Sequence, residues 1–157
     1  MSQPERGADV RFPPPLIYLI STLAGVAVHY GVARAPVPLD RVVSAACGVV
    51  VVAVGVAIIA SARRHFTRTG QDPKPWKPSP ELILQRPYTF TRNPMYVGIT
   101  VIQIGLGLAF NNLWIAAFAP LSLLTTHFVA VLPEERYLSD KFGDSYKAYL
   151  TRVRRYL

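Results

Sequence analysis

The chain has 157 residues, the length of one domain, and 51% of them are hydrophobic. Its 17 Lys and Arg against 9 Asp and Glu give a formal net charge of +8 at pH 7, but no recognised nucleic-acid module or patterned aromatic platform accompanies this charge, so we expect no nucleic-acid partner. The single cysteine excludes an internal disulfide, and the three histidines are too scattered along the chain to predict a metal site.

Four apolar segments are predicted to cross a membrane as α-helices. Residues 42–62 and 93–133 contain no charged residue, and about 20 apolar residues are enough for a helix to cross the hydrocarbon layer. Asn111 and Asn112 are the polar break in the longer run, which is therefore predicted to form a tight hairpin of two spans. One long kinked helix or a re-entrant loop is the alternative. The predicted spans are residues 16–33, 42–62, 94–110 and 113–132.

The basic residues predict how these spans are oriented. Seven Lys and Arg lie in residues 63–92 and six in residues 136–155, whereas the turn at residues 111–112 has none. Because cytoplasmic loops carry the excess of Lys and Arg, we predict that both termini and the middle loop are cytoplasmic. We expect an integral protein of a bacterial inner membrane, whose positive charge is attracted to anionic membrane lipids.

Two residues of the fourth predicted span are unusual for a membrane helix. Pro120 lacks the backbone N–H that a helix interior uses, so we expect a kink there. His127 is ionisable, and the cost of placing such a side chain in a span often marks a functional residue. A histidine that is hydrogen-bonded between helices is the alternative interpretation.

Two polar regions complete the predicted fold. The proline-rich residues 72–80 form a semi-rigid linker that is either a plain connector or a preformed wall for a ligand. From Glu134 onward, aromatic residues recur at near-helical spacing with an interruption at Gly143, which predicts an amphipathic helix lying on the headgroups or packing on the cytoplasmic loop. The predicted fold class is all-α, an integral membrane protein with about four transmembrane helices and a cytoplasmic amphipathic C-terminal helix, in a single domain over residues 1–157.

Short motifs lie at the two ends of the predicted hairpin and along the tail. They are Pro87 and Tyr88, Arg92 to Tyr96, Gly98, Glu134 and Glu135, Leu138, Phe142 and Gly143, Tyr146 and Tyr149. In this order around a membrane hairpin they resemble the motifs of a family of membrane methyltransferases, and the resemblance covers roughly residues 66–157. That family is typified by isoprenylcysteine carboxyl methyltransferase and is related to the phospholipid methyltransferases.

The resemblance implies an S-adenosyl-L-methionine-dependent methyltransferase that acts on a lipophilic or amphiphilic small molecule, with an oxygen, nitrogen or sulfur atom as the methyl acceptor. It places the cofactor-binding elements in residues 70–98 and 133–157. Glu134 and Arg92 are the implied catalytic residues. The implied cofactor contacts are Leu82, Ile83, Tyr88, Asn93, Pro94, Tyr96 and Glu134.

Each of these residues also has a plainer interpretation. The arginines could be anchors on the positive side of the membrane and the tyrosines could belong to an aromatic belt. Glu134 could simply cap the tail helix. Two alternative functions follow, namely an NADPH-dependent enzyme like the membrane sterol reductases, which share a similar tail, and a non-catalytic membrane subunit that binds lipid.

The sequence also departs from the family pattern. Arg86 replaces the glycine that precedes Pro87, and Asn93 replaces the more common histidine, so this position cannot titrate. In the isoprenylcysteine enzymes an arginine four residues before the first motif glutamate contacts the substrate carboxylate, and that position here is Ala130. The resemblance therefore does not extend to a prenylcysteine carboxylate as the acceptor.

Overall fold

The computed structural model describes residues 7–70 and 72–156, and within them the chain is helical with no strand. The first three helices correspond to the first three predicted spans. The remaining helices follow one another with short interruptions, and a π-helical turn at His127–Val131 separates α5 from α6. The helices are α1 (Pro14–Gly31), α2 (Arg41–Thr69), α3 (Pro94–Ala109), α4 (Leu113–Ala117), α5 (Ala119–Thr126), α6 (Leu132–Phe142) and α7 (Asp144–Arg152).

Residues with known capping preferences set the ends of α2. The Asp40 side chain accepts hydrogen bonds from the backbone N–H groups of Val42 and Val43, which a helix start would otherwise leave without partners. Gly70 follows the last turn with φ of 68°, a left-handed conformation that glycine adopts at little cost. α2 continues well past residue 62, where the predicted span ends, and the three arginines of this extension are residues that favour a helix.

The predicted tight turn between α3 and α4 is present, so the two are not one long kinked helix. Asn111 has a φ of 53°, and its side chain accepts a hydrogen bond from the N–H of Val37 at 2.8 Å. Asn112 caps α4 by accepting from the N–H groups of Trp114 and Ile115. The two asparagines therefore do more than interrupt an apolar run, since their side chains fix the turn and join it to the α1–α2 connection.

The helical run after the hairpin is longer than the predicted fourth span. It extends over 30 residues, Leu113–Phe142, and so continues beyond residue 132 into the tail. The run is interrupted at Phe118, between α4 and α5, two residues before Pro120, where the sequence predicted a kink. Gly143 ends the run with a φ of 53°, which confirms the predicted interruption of the tail helix.

Small residues let α2 and α3 pack at close range. A Cβ atom on Gly48 would lie 2.3 Å from the backbone nitrogen of Ala109, and one on Gly55 would lie 2.7 Å from the carbonyl oxygen of Gly98. Contacts this short leave no room for a side chain. Such packing is typical of membrane helices, where small residues at the interface bring the backbones together.

Two helical runs, Arg41–Arg68 and Leu113–Phe142, are long and apolar enough to cross a membrane. Large apolar side chains on α2 are exposed, including Val42 at 76% and Val49 at 64%. A soluble core helix of the same composition would bury these side chains, so the pattern fits helices that face lipid. The 16-residue α3 is apolar but shorter than these two runs. That the chain crosses the membrane four times, and that its tail lies on the cytoplasmic side, remain predictions.

Candidate functional site

One cavity of about 420 Å³ lies between the polar end of α2, the proline-rich linker, the start of α3, and α6 and α7. Its volume is within the range of roughly 300–1,000 Å³ that is usual for ligand pockets. The residues that the sequence predicted for the site are far apart along the chain, but all of them line this cavity. They are Leu82, Ile83, Tyr88, Arg92, Asn93, Pro94, Tyr96 and Glu134.

Glu134 and Tyr96 form the polar centre of the cavity wall. Tyr96 is in the first turn of α3 and Glu134 is in the first turn of α6, 38 residues later, and the Tyr96 hydroxyl donates a hydrogen bond to Glu134 Oε1. The start of α6 continues the preceding helical run, and no side chain makes a capping hydrogen bond there, so Glu134 does not cap the helix. The capping interpretation of Glu134 is therefore wrong.

Arg92 is not a membrane-surface anchor, because only 12% of its side chain is exposed. Its guanidinium lies 3.5 Å from Glu135 Oε1, and the same carboxylate accepts two hydrogen bonds from Arg155, at 2.9 and 2.8 Å. These bonds raise the pKa of Arg155. The Nε atom of Arg92 is buried and has no hydrogen-bond partner among the residues that the structure describes.

The loop that carries Arg92 is bonded to the C-terminal end of the chain. The backbone N–H of Arg92 donates to the carbonyl of Arg154 at 2.9 Å. The carbonyl of Arg155 accepts from the side chains of Thr91 and Asn93, at 3.1 and 3.0 Å. Asn93 therefore lines the cavity while its amide nitrogen holds the tail, a role that its position in the motif did not reveal.

Tyr88 contributes an aromatic side chain to the cavity wall, and α7 of the tail holds its backbone. Its ring packs edge-on against Phe66 with centroids 6.2 Å apart, and its backbone carbonyl accepts a hydrogen bond from the Tyr149 hydroxyl at 2.7 Å. Burial raises the pKa of Tyr88, and the charge of the nearby Glu134 raises it further, so this hydroxyl stays protonated at neutral pH. Burial also raises the pKa of Tyr149 to about 12.

The proline-rich linker forms part of the cavity wall and is covered by the N-terminal segment. The N–H of Ser79 donates to the Tyr137 hydroxyl at 3.1 Å, which joins the linker to α6. The N–H of Ala8 donates to the carbonyl of Pro75 at 2.9 Å. Ala8 and Val10 then pack against the fully buried Ala130. Residues 7–10 carry no motif, so their place beside the site was not predicted.

His127 lies on the π-helical turn, and its Nδ1 is hydrogen-bonded to the Tyr156 hydroxyl at 3.0 Å. His127 is absent from the cavity lining, whereas the motif residues Glu134 and Leu138 are part of it. The alternative interpretation, a histidine hydrogen-bonded between helices, holds only in part, because His127 is hydrogen-bonded but its partner Tyr156 lies beyond the end of α7.

The fold and the site together define a class of protein, namely an all-helical protein with membrane-length helices and a ligand-sized cavity where two polar motifs meet. The model of the phospholipid methyltransferase family matches residues 43–145. The chain belongs to this family and is a membrane protein of the methyltransferase class, which confirms the resemblance seen in its motifs. No curated protein and no solved structure matches the chain significantly.

Proposed function

We propose that the chain is an S-adenosyl-L-methionine-dependent methyltransferase that acts at the membrane on a lipophilic or amphiphilic small molecule. The observation that carries this proposal is the cavity of about 420 Å³, in which both motif segments meet around Glu134. Membership of a methyltransferase family supports methyl transfer as the reaction. We further propose that the site faces the cytoplasm of a bacterium, since most basic residues lie on the polar segments around it.

The residues of the cavity fit the chemical groups of S-adenosyl-L-methionine, which supplies an activated methyl group on a cationic sulfonium. The Glu134 carboxylate would hold the amine or lie near the sulfonium. The buried Nε–H of Arg92 suits a carboxylate, because hydrogen bonds between charged partners are the strong ones. Tyr88 and Tyr96 would pack against the adenine and ribose.

Methyl transfer is an in-line displacement, so the protein's task is mainly to position the reactants and to exclude water. Tyr96 fixes the Glu134 carboxylate through its hydroxyl. Residues 7–10 pack over the proline-rich linker and against Tyr137 of α6, and so support the wall of the site that these two elements form. Binding, orientation and support of the wall are thus carried by different parts of the chain.

The surroundings of the site support a lipophilic acceptor other than a prenylcysteine carboxylate. Ile59 of α2, together with Met95 and Ile99 of α3, gives the cavity an apolar side on the helices. Ala130 is completely buried against Ala8 and Val10, so this position offers no cation to an acceptor carboxylate and no room for an arginine. We propose an acceptor that the apolar side holds by burial of its surface.

Calorimetric titration of the purified protein with S-adenosylhomocysteine tests the proposal. We expect binding, and we expect Glu134→Gln to weaken it about tenfold or more, because a hydrogen bond to a charged group is lost. Asp144→Asn makes the same chemical change at a side chain that is 97% exposed and should leave affinity unchanged.

A parallel titration with NADPH separates the alternatives. Binding of NADPH without S-adenosylhomocysteine would favour an enzyme like the sterol reductases. Binding of neither compound would favour a non-catalytic subunit. Either result would reject the proposed function.

A further inference from the structure

The last described residues of the chain, 154–156, lie beyond α7 and outside the residues that match the family model. They nevertheless contact three separate parts of the structure, and we call them the C-terminal clasp. These parts are the loop at residues 91–93, the first turn of α6 and the π-helical turn at His127–Val131. If the tail did not pack on the rest of the chain, the polar groups of residues 154–156 would be hydrogen-bonded to water instead.

The backbone of the clasp fixes the path of the loop that carries Arg92. The carbonyl of Arg154 accepts the Arg92 N–H, and the carbonyl of Arg155 accepts from Thr91 and Asn93. Thr91 and Asn93 are both buried. Three hydrogen bonds over three consecutive residues leave this part of the loop little freedom to move.

Within the clasp, the side chain of Arg155 fixes the guanidinium of Arg92 through Glu135. Arg155 binds both oxygens of Glu135, a geometry that is stronger and more directional than a single ion pair. The Arg92 guanidinium lies 3.5 Å from that same carboxylate, and the Arg92 and Glu135 side chains are only 12% and 13% exposed. Glu135 is thus shared by two arginines, and the orientation of its carboxylate is set from the tail.

We propose that the C-terminal clasp positions Arg92 in the candidate site, with Arg155 acting as a positioning residue through Glu135. The inference rests on the proposed function in one respect, namely that Arg92 contacts the bound cofactor. Tyr156 adds an attachment point, because its hydroxyl is hydrogen-bonded to His127 Nδ1 at 3.0 Å. The second glutamate of the motif thereby has a role distinct from that of Glu134, since it orients an arginine rather than a ligand.

The first test is the affinity for S-adenosylhomocysteine of Arg155→Ala, Arg155→Lys and a control. We expect about a tenfold loss for Arg155→Ala and a partial rescue, to about a threefold loss, for Arg155→Lys, which keeps the charge without the two-oxygen geometry. Arg152→Ala removes the same charge from an exposed side chain of α7 and should have no effect. Unchanged affinity in Arg155→Ala would overturn the inference.

The second test asks whether Arg155 acts through Arg92. If it does, Arg155→Ala should cause no further loss of affinity in a chain that already carries Arg92→Ala, because the group being positioned is gone. If Arg155→Ala lowers the affinity equally in the unmodified chain and in the Arg92→Ala chain, Arg155 does not act through Arg92. A general effect of Arg155→Ala on folding would also lower the affinity equally in both. Thermal unfolding of each variant identifies any loss of stability.

A third measurement does not depend on ligand binding. Hydrogen exchange at residues 91–93 should be about fivefold faster or more in Arg155→Ala, because the protected Arg92 amide would open locally. Unchanged exchange would contradict the clasp even if affinity fell. If the unmodified protein fails to bind S-adenosylhomocysteine, the proposed function is rejected, and hydrogen exchange still decides whether the clasp holds the loop.

Discussion

The Tyr96 hydroxyl and the Glu134 carboxylate show how a single pair of side chains organises the site. Each lies in the first turn of its own helix, so neither backbone position can shift without moving a helix. A partly buried carboxylate with one fixed donor has a defined orientation, and its remaining acceptor capacity is available to a ligand.

Replacing Tyr96 with phenylalanine tests the importance of this orientation. The ring and its packing are kept, but the donor to Glu134 is lost, and we expect affinity for S-adenosylhomocysteine to fall about tenfold. Tyr30→Phe is the matched control, since Tyr30 is exposed near the end of α1. Equal calorimetric affinities for the two variants would contradict an orienting role for Tyr96.

The residues of the site could be predicted from the sequence, but several of their partners could not. Motif order around a hairpin was enough to bring Tyr88, Tyr96 and Glu134 to one cavity. The amide contact of Asn93 and the second partner of the Glu135 carboxylate that pairs with Arg92 are supplied by Arg155, which carries no motif and lies 62 residues from Asn93 in the sequence. Such long-range contacts leave no local signal in a sequence.

Among the elements, α2 and α3 form the rigid support of the site. The start of α3 carries Pro94 and Tyr96, so the spacing of the two helices determines where the cavity wall lies. Gly48 and Gly55 on α2 set this spacing, because any side chain at either position would overlap the opposing backbone.

We expect Gly48→Ala to destabilise the protein. The added Cβ would lie 2.3 Å from a backbone nitrogen of α3, a clash that no side-chain rotation can relieve, and overpacking of this kind costs about 1–3 kcal/mol. Gly31→Ala is the control, because a Cβ there meets nothing within 4 Å. Thermal unfolding in detergent should show a lower midpoint for Gly48→Ala alone. Equal unfolding midpoints for Gly48→Ala and Gly31→Ala would mean that close packing does not hold α2 and α3 together.

The elements also show where prediction from sequence was accurate. Charge-free runs and flanking Pro and Asn residues placed α3 and the hairpin well, because these features act locally on the backbone. The continuation of α2 to Thr69 was missed, since a basic segment was expected to form a loop. The π-helical turn at His127–Val131 has no local signal, and it arises within a run that is helical throughout.

At the scale of the whole molecule, the first and last segments that the structure describes converge on the same site. Residues 7–10 cover the proline-rich linker, and residues 154–156 hold the loop that begins α3. The helices therefore bring the motif segments together, while the two end segments restrict their motion.

The predicted topology can be measured by labelling single cysteines in sealed membrane vesicles. With Cys47 replaced by serine, Phe110→Cys lies at the exposed hairpin turn and Asp144→Cys lies on the exposed tail. An impermeant maleimide should reach these two positions from opposite sides, because the turn has no basic residue and the tail has six. Labelling of both from the same side would reject the four-span arrangement.

The most direct measurement of the central claim is a structure of the purified protein determined with bound S-adenosylhomocysteine. We predict that the ligand occupies the cavity between Tyr88, Tyr96 and Glu134, with its amine at the Glu134 carboxylate and its own carboxylate at Arg92. A ligand bound elsewhere, or a Tyr96 and a Glu134 that lie apart with no cavity between them, would contradict the account.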